Sequence, residues 1–170
     1  LGRFGKAKVS LPGGCAIGTR PVNVHLFGLK KLGANIKIKN GYILAEAKKG
    51  LIGTKIRFPS ISVGATENVV IAASFARGTT HLKNCACEPE IKNLTDFLKK
   101  MGVKINWLGK REIRISGNKK LKSVSHNIMF DRIEAGTFII AGALTGRNLK
   151  ITGIESRILN KELEVLKKMG

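Results

Sequence analysis

Three short segments of this 170-residue chain are copies of one another. Leu29-Lys30-Lys31-Leu32-Gly33 recurs as Leu98-Lys99-Lys100-Met101-Gly102 and as Leu166-Lys167-Lys168-Met169-Gly170, so the closing glycines stand 69 and then 68 residues apart. Pro21 with Pro89, and Gly78 with Gly146, keep a spacing of 68. Signals in one register mean stacked copies of a single supersecondary unit, each burying a face that its neighbour covers.

The residues between these markers describe the unit. Pro21 and Pro89 suit the first turn of a helix. Val22, Leu26, Leu29 and Leu32 then form an apolar stripe closed by Gly33, as Ile91, Leu94, Leu98 and Met101 do before Gly102. Ile36 and Ile38 alternate with Lys37 and Lys39, and Asn40-Gly41 signals a hairpin, with a return strand over 42–46. A second hairpin is expected over 103–107 and 112–115, turning at Gly109-Lys110, and further strands over 8–11, 55–58, 79–83 and 149–152. Helices over 66–77 and 134–145 are apolar nearly all round, which predicts that both are buried. Asn160 is placed to cap a last helix that turns Leu163, Leu166 and Met169 inward. The fold class is α/β, with amphipathic helices and hairpin sheets around apolar helices.

The formal net charge is +20, from 31 basic and 11 acidic residues. That field suits nucleic acid, and it equally suits a small anionic substrate. The lysines are scattered over most elements. With seven Phe, one Trp and one Tyr, a platform for stacking bases is poorly supplied. A basic nucleic-acid-binding module therefore stands as the alternative, and no nucleic-acid partner is expected. No apolar run reaches membrane-spanning length, so no membrane partner is expected either. The first residues carry no secretory core, and both ends read as if they continue into a longer protein.

Cys15, Cys85 and Cys87 make an odd count, which argues against a disulfide framework and for a reducing, cytoplasmic setting. Cys85-Ala86-Cys87 lacks a second pair or a nearby histidine, so neither a metal nor a cofactor is expected. His25, His81 and His126 are isolated and read as surface or packing residues.

Chemistry concentrates in LPGGCAIGTRP, residues 11–21. Gly13 and Gly14 let backbone approach a ligand closely. Arg20 offers a planar fork for phosphate or carboxylate. A thiol beside a fixed cation loses its proton more easily, so Cys15 can serve as acid or nucleophile. The alternative is a glycine-rich turn around an inert cysteine.

LPGGCAIGTRPV, SVGATENVV, EPEI and DRIEAGTF, in this order and spacing, resemble the MurA-type enolpyruvyl transferases, the UDP-N-acetylglucosamine 1-carboxyvinyltransferase family, over essentially the whole chain. The resemblance implies an inside-out α/β barrel of repeated βαβαββ units in two lobes. Residues 1–127 would be an incomplete cysteine-loop lobe, and residues 128–170 the start of the return into the other lobe, so the helix over 134–145 would pack in that other lobe or lack its partners. It further implies transfer of the enolpyruvyl group of phosphoenolpyruvate to the 3′-hydroxyl of UDP-N-acetylglucosamine. That is a step of peptidoglycan synthesis, and so of cell-wall biogenesis, cell shape and division.

Carried over residue by residue, Cys15 is the implied proton donor and the site of alkylation by fosfomycin. Arg20, Pro21, Val22, Asn23 and Val24, with Ser60, Ile61, Ser62, Val63 and Gly64, match segments that hold the nucleotide sugar. Glu88, Asp131 and Glu134 fall on acidic motif positions, where they orient substrate or else cap helices and link lobes. The chain departs from the pattern at Asn23, often Asp, at Ser60, often Lys, and at Cys87, usually Arg. The family's Lys-Asn motif, an upstream arginine and later Asp and Arg groups fall outside the 170 residues. The isolated chain is therefore expected to be inactive. A non-catalytic piece that keeps the fold is the remaining alternative.

Overall fold

The computed structural model describes residues 1–13, 21–117, 120–146 and 148–170. The chain divides into two compact units, Leu1–His126 and Asn127–Gly170.

In the first unit, strand β1 (Lys6–Ser10) precedes helix α1 (Asn23–Lys31) and the hairpin β2 (Asn35–Lys39) and β3 (Tyr42–Glu46). β3 lies between β1 and β2, antiparallel to both. The hairpin closes on Asn40 at φ 51° and Gly41 at φ 75°, the left-handed pair that a two-residue type I′ turn requires. Strand β4 (Lys55–Arg57), helix α2 (Val63–Ala73) and strand β5 (Thr79–Lys83) follow, with β4 and β5 parallel. Helix α3 (Pro89–Lys100) then leads into the hairpin β6 (Lys104–Gly109) and β7 (Glu112–Ser116). The second sheet runs β4-β5-β7-β6. An amphipathic helix followed by a hairpin thus occurs twice, as the repeat spacing predicts.

Helix α2 is the centre of this unit. Its Ala65, Val69, Val70 and Ala73 are fully buried, among Ile56, Phe58, Leu82, Ile91, Ile113 and Ile115. It starts where the Ser62 hydroxyl accepts the Ala65 N–H at 3.3 Å, so one of the unpaired donors of the first turn is satisfied. It ends at Ala73, short of the expected residue 77. There the Ser74 hydroxyl donates to the Val70 carbonyl at 2.9 Å, and the chain turns before Gly78, at φ 83°, leads into β5. Helix α1 lies against α2 through Gly28, where a Cβ would stand 2.3 Å from Val69 Cγ2. Pro21 precedes α1 rather than opening it, since Val22 is the N-cap.

The second unit holds helix α4 (Arg132–Thr145), a 3-10 turn (Ser156–Leu159) and helix α5 (Asn160–Met169). The expected burial of 134–145 is not found. Within α4 only Ala135 and Gly136 are buried, while Ile133, Phe138 and Leu144 are 63%, 55% and 82% exposed. A helix that is apolar all round needs cover on every side. Residues 149–152 are not a strand: among the described residues of this unit there is no strand to supply a ladder. Asn160 does not cap α5 but is its first residue, because the 3-10 turn runs straight into the helix.

Candidate functional site

Cys15 and Arg20 lie outside the described residues, as does Gly14. Both flanks of their loop are described. The Leu11 N–H donates to the Gly41 carbonyl at 2.8 Å, which ties the loop's start to the first hairpin turn. On the far side Pro21 is exposed just ahead of α1.

The remaining candidates for holding a nucleotide sugar sit at two helix starts. Pro21 and Val22 precede α1, and Asn23 and Val24 open it. Ser60 and Ile61 are exposed before α2, Ser62 is its N-cap, and Val63 and Gly64 are its first residues. Packing of α1 on α2 brings the two segments together. The Asn68 Nδ2 donates to the Gly64 carbonyl at 3.0 Å and lies 2.9 Å from His25 Nδ1. A Cβ on Gly64 would stand 3.1 Å from His25 Cε1, so the absence of a side chain there lets the ring sit against α2. Neither first turn carries an acidic residue. Ser62 caps one N–H of α2, but no acidic side chain offsets the positive dipole end of either helix within its first turn, so both ends suit an anionic group.

A third helix start is tied to the second. The buried Thr66 hydroxyl donates to the Ser62 carbonyl at 2.8 Å and accepts the Ala86 N–H at 3.0 Å. Asn84, at φ 58°, donates through Nδ2 to the Phe58 carbonyl at 2.9 Å and holds the chain there. Glu88 takes the N-cap position of α3, but its carboxylate accepts the Cys87 N–H at 2.7 Å instead of bonding into the helix. Nearby, the half-buried Glu67 carboxyl is held above its usual range, by burial first and by Glu90 second. Cys85 is fully buried, and burial pushes its thiol up to about 11. Cys87 is half-buried.

Asp131 and Glu134 belong to the second unit. Asp131 caps α4, its Oδ1 accepting from Ile133 N at 2.8 Å and Glu134 N at 3.1 Å, while Glu134 is exposed in the first turn. Among the described residues, no group of three or more His, Cys, Asp or Glu side chains is placed to hold a metal ion. No described helix is long and apolar enough to cross a membrane.

Sequence reasoning passed over His25, Thr66 and Asn68, which join the helix starts. The signal was spacing: His25 directly follows the 21–24 segment, and Asn68 stands one helical turn after Gly64 on the same face.

A family model described as EPSP synthase (3-phosphoshikimate 1-carboxyvinyltransferase) matches residues 1–170. The chain belongs to the EPSP synthase family. Among curated relatives in this family, it is 60% identical over 170 residues to the UDP-N-acetylglucosamine 1-carboxyvinyltransferase of Pelagibacter ubique (strain HTCC1062), covering all of this chain and 41% of that protein. It is 51% identical to the enzyme of the same name from Chelativorans sp. (strain BNC1), again over the whole chain and 40% of the relative. The motifs of residues 11–22, 62–70, 88–91 and 131–138 thus belong to a chain similar throughout to these relatives, and it spans about 40% of their length. Among solved structures, the enolpyruvyl transferase NikO from Streptomyces tendae matches 99% of the chain and 41% of its own at TM-score 0.76 and 19% identity. An EPSP synthase from Acinetobacter baumannii matches 81% of the chain and 31% of its own at TM-score 0.62 and 19% identity. The fold is that of the enolpyruvyl transferases.

Proposed function

We propose that these residues form part of a UDP-N-acetylglucosamine 1-carboxyvinyltransferase, with residues 1–127 in the lobe that carries the cysteine loop and residues 128–170 returning to the other lobe. The observation that carries this reading is the side-by-side packing of the α1 and α2 starts. It sets His25, which directly follows residues 21–24, against Gly64 of residues 60–64, and the resemblance assigns both segments to the nucleotide sugar. Two helix N-termini without acidic residues suit a diphosphate.

In this reading the 3′-hydroxyl of UDP-N-acetylglucosamine adds to C2 of phosphoenolpyruvate while Cys15 protonates the methylene carbon. The tetrahedral intermediate then loses a methyl proton and inorganic phosphate to give the enolpyruvyl ether. Arg20 holds anionic groups of the substrates. Lobe closure brings the Cys15 loop over the reactants and excludes water. Glu88 orients groups at the α3 start, and Asp131 and Glu134 act at the α4 start. The setting is cytoplasmic, as the unpaired cysteine count also suggests.

The test is the intact enzyme with phosphoenolpyruvate and UDP-N-acetylglucosamine, read as phosphate release. Cys15→Asp keeps a proton donor and removes the sulfur nucleophile. That variant is expected to keep turnover and to resist the phosphonate epoxide fosfomycin, while Cys15→Ala loses turnover. Full activity in Cys15→Ala would remove Cys15 from the chemistry.

A further inference from the structure

We infer that Asn68 is a positioning residue that holds the His25 imidazole neutral with its proton on Nε2, so that the junction of α1 and α2 presents a ring N–H donor beside Gly64 to an oxygen of the nucleotide sugar. The identity of that acceptor rests on the function proposed above; the state of the ring does not.

The Gly64 carbonyl oxygen can only accept, so the amide atom 3.0 Å from it must be the NH2 of Asn68. This fixes the orientation of the amide. The same nitrogen lies 2.9 Å from His25 Nδ1. An amide NH2 offers two hydrogens and no useful lone pair, so Nδ1 must accept. A neutral imidazole that accepts at Nδ1 carries its proton on Nε2. An imidazolium would set two donors face to face. Burial of His25 also disfavours the charged ring and lowers its pKa.

Nε2 lies 3.5 Å from where a Gly64 Cβ would be, so this edge of the ring runs past a residue with no side chain to cover it. Val9, Pro12, Val22, His25 and Asn68 share the wall of a groove of about 840 Å³ lined by the first sheet, α1 and α2. Pro12 is on the near flank of the cysteine loop and Val22 on the far side of it. A neutral N–H there selects for an acceptor oxygen, and an acceptor nitrogen at the same place would repel it.

Two measurements on the intact protein test this. Long-range ¹H–¹⁵N correlation spectra with labelled histidine, assigned by loss of the His25 signal in His25→Gln, read the ring state at neutral pH. The expected pattern is a pyridine-like Nδ1 and a pyrrole-like Nε2. A proton on Nδ1, or an imidazolium, overturns the inference whatever the enzyme does.

Asn68→Asp replaces the donor by an acceptor and draws the proton to Nδ1. KM for UDP-N-acetylglucosamine should then rise about tenfold, the scale of one misdirected hydrogen bond, with kcat much less affected. Asn68→Leu, which removes the donor without adding an acceptor, should raise KM less. A reversed tautomer with unchanged KM overturns the role toward substrate. If the intact wild type has no transferase activity, the proposed function fails, and the spectra still decide the ring state.

Discussion

Cys85 illustrates how one side chain's surroundings settle its chemistry. It has no exposed surface, and burial pushes its thiol up to about 11 from a usual value near 9.0. Its carbonyl is further held by Arg111 Nη1 at 3.2 Å. The thiolate is the reactive form, so a thiol that keeps its proton and cannot be reached is inert. In the intact native protein at pH 8, iodoacetamide should therefore modify Cys15 and leave Cys85 untouched until the chain is unfolded. Peptide mass mapping before and after denaturant reads the difference. Native labelling of Cys85 as fast as Cys15 would overturn both the burial argument and the reactivity assigned to the loop.

At the scale of elements, the contact between α1 and α2 depends on a missing side chain. Gly28 is costly to a helix interior, by about 1 kcal/mol relative to Ala, yet it is buried where α1 crosses α2. A Cβ at Gly28 would stand 2.3 Å from Val69 Cγ2, far inside contact distance. Gly28→Ala should therefore destabilise the first unit by about 1–3 kcal/mol despite the better helix propensity. Adding Val69→Ala should recover part of that loss, and urea unfolding of the two single variants and the double variant measures the coupling. Helix α4 has a different dependence, on its cap. Asp131→Ala removes the acceptor for the Ile133 and Glu134 N–H groups and should cost about 1 kcal/mol, while Asp131→Asn should cost much less.

The same elements show what the sequence could tell. Asn40-Gly41 names its own turn, because left-handed backbone at two successive residues admits few residue types; both hairpins form on the alternating segments, although the second turns at 110–111, one residue past the expected Gly109-Lys110. The strand expected over 149–152 needed a partner that periodicity cannot supply. The apolar pattern of α4 reported that the helix seeks cover, not whether these 170 residues provide it. His25 and Asn68 meet across two helices, 43 residues apart in sequence, and no local pattern announces that contact. The cysteine loop was legible as chemistry, through a thiol, glycines and an arginine in one run, while its geometry lies outside the described residues.

At the scale of the molecule, the question is how much of a catalyst 170 residues can be. The charge of +20 draws anions to the chain, and a field of that kind concentrates substrates without choosing among them. Turnover needs more: groups aimed at charge that develops only in the transition state, held from several sides at once. The described site supplies one wall, the paired starts of α1 and α2. The chain spans about 40% of the length of its curated relatives, so the facing wall is expected from the rest of such a protein. Removing a single preorganised donor from an active site typically costs about 10²–10³ in kcat, and here several would be absent together. The 170-residue chain on its own should therefore release phosphate from phosphoenolpyruvate and UDP-N-acetylglucosamine at less than about a thousandth of the rate of the intact enzyme. A phosphate-release assay on both proteins, in the same buffer and at matched concentration, checks this. Comparable rates would mean that one wall suffices and that the two-sided mechanism is wrong. Salt-sensitive retention of duplex DNA by the chain, falling steeply between low and moderate ionic strength, would instead point the basic surface at nucleic acid.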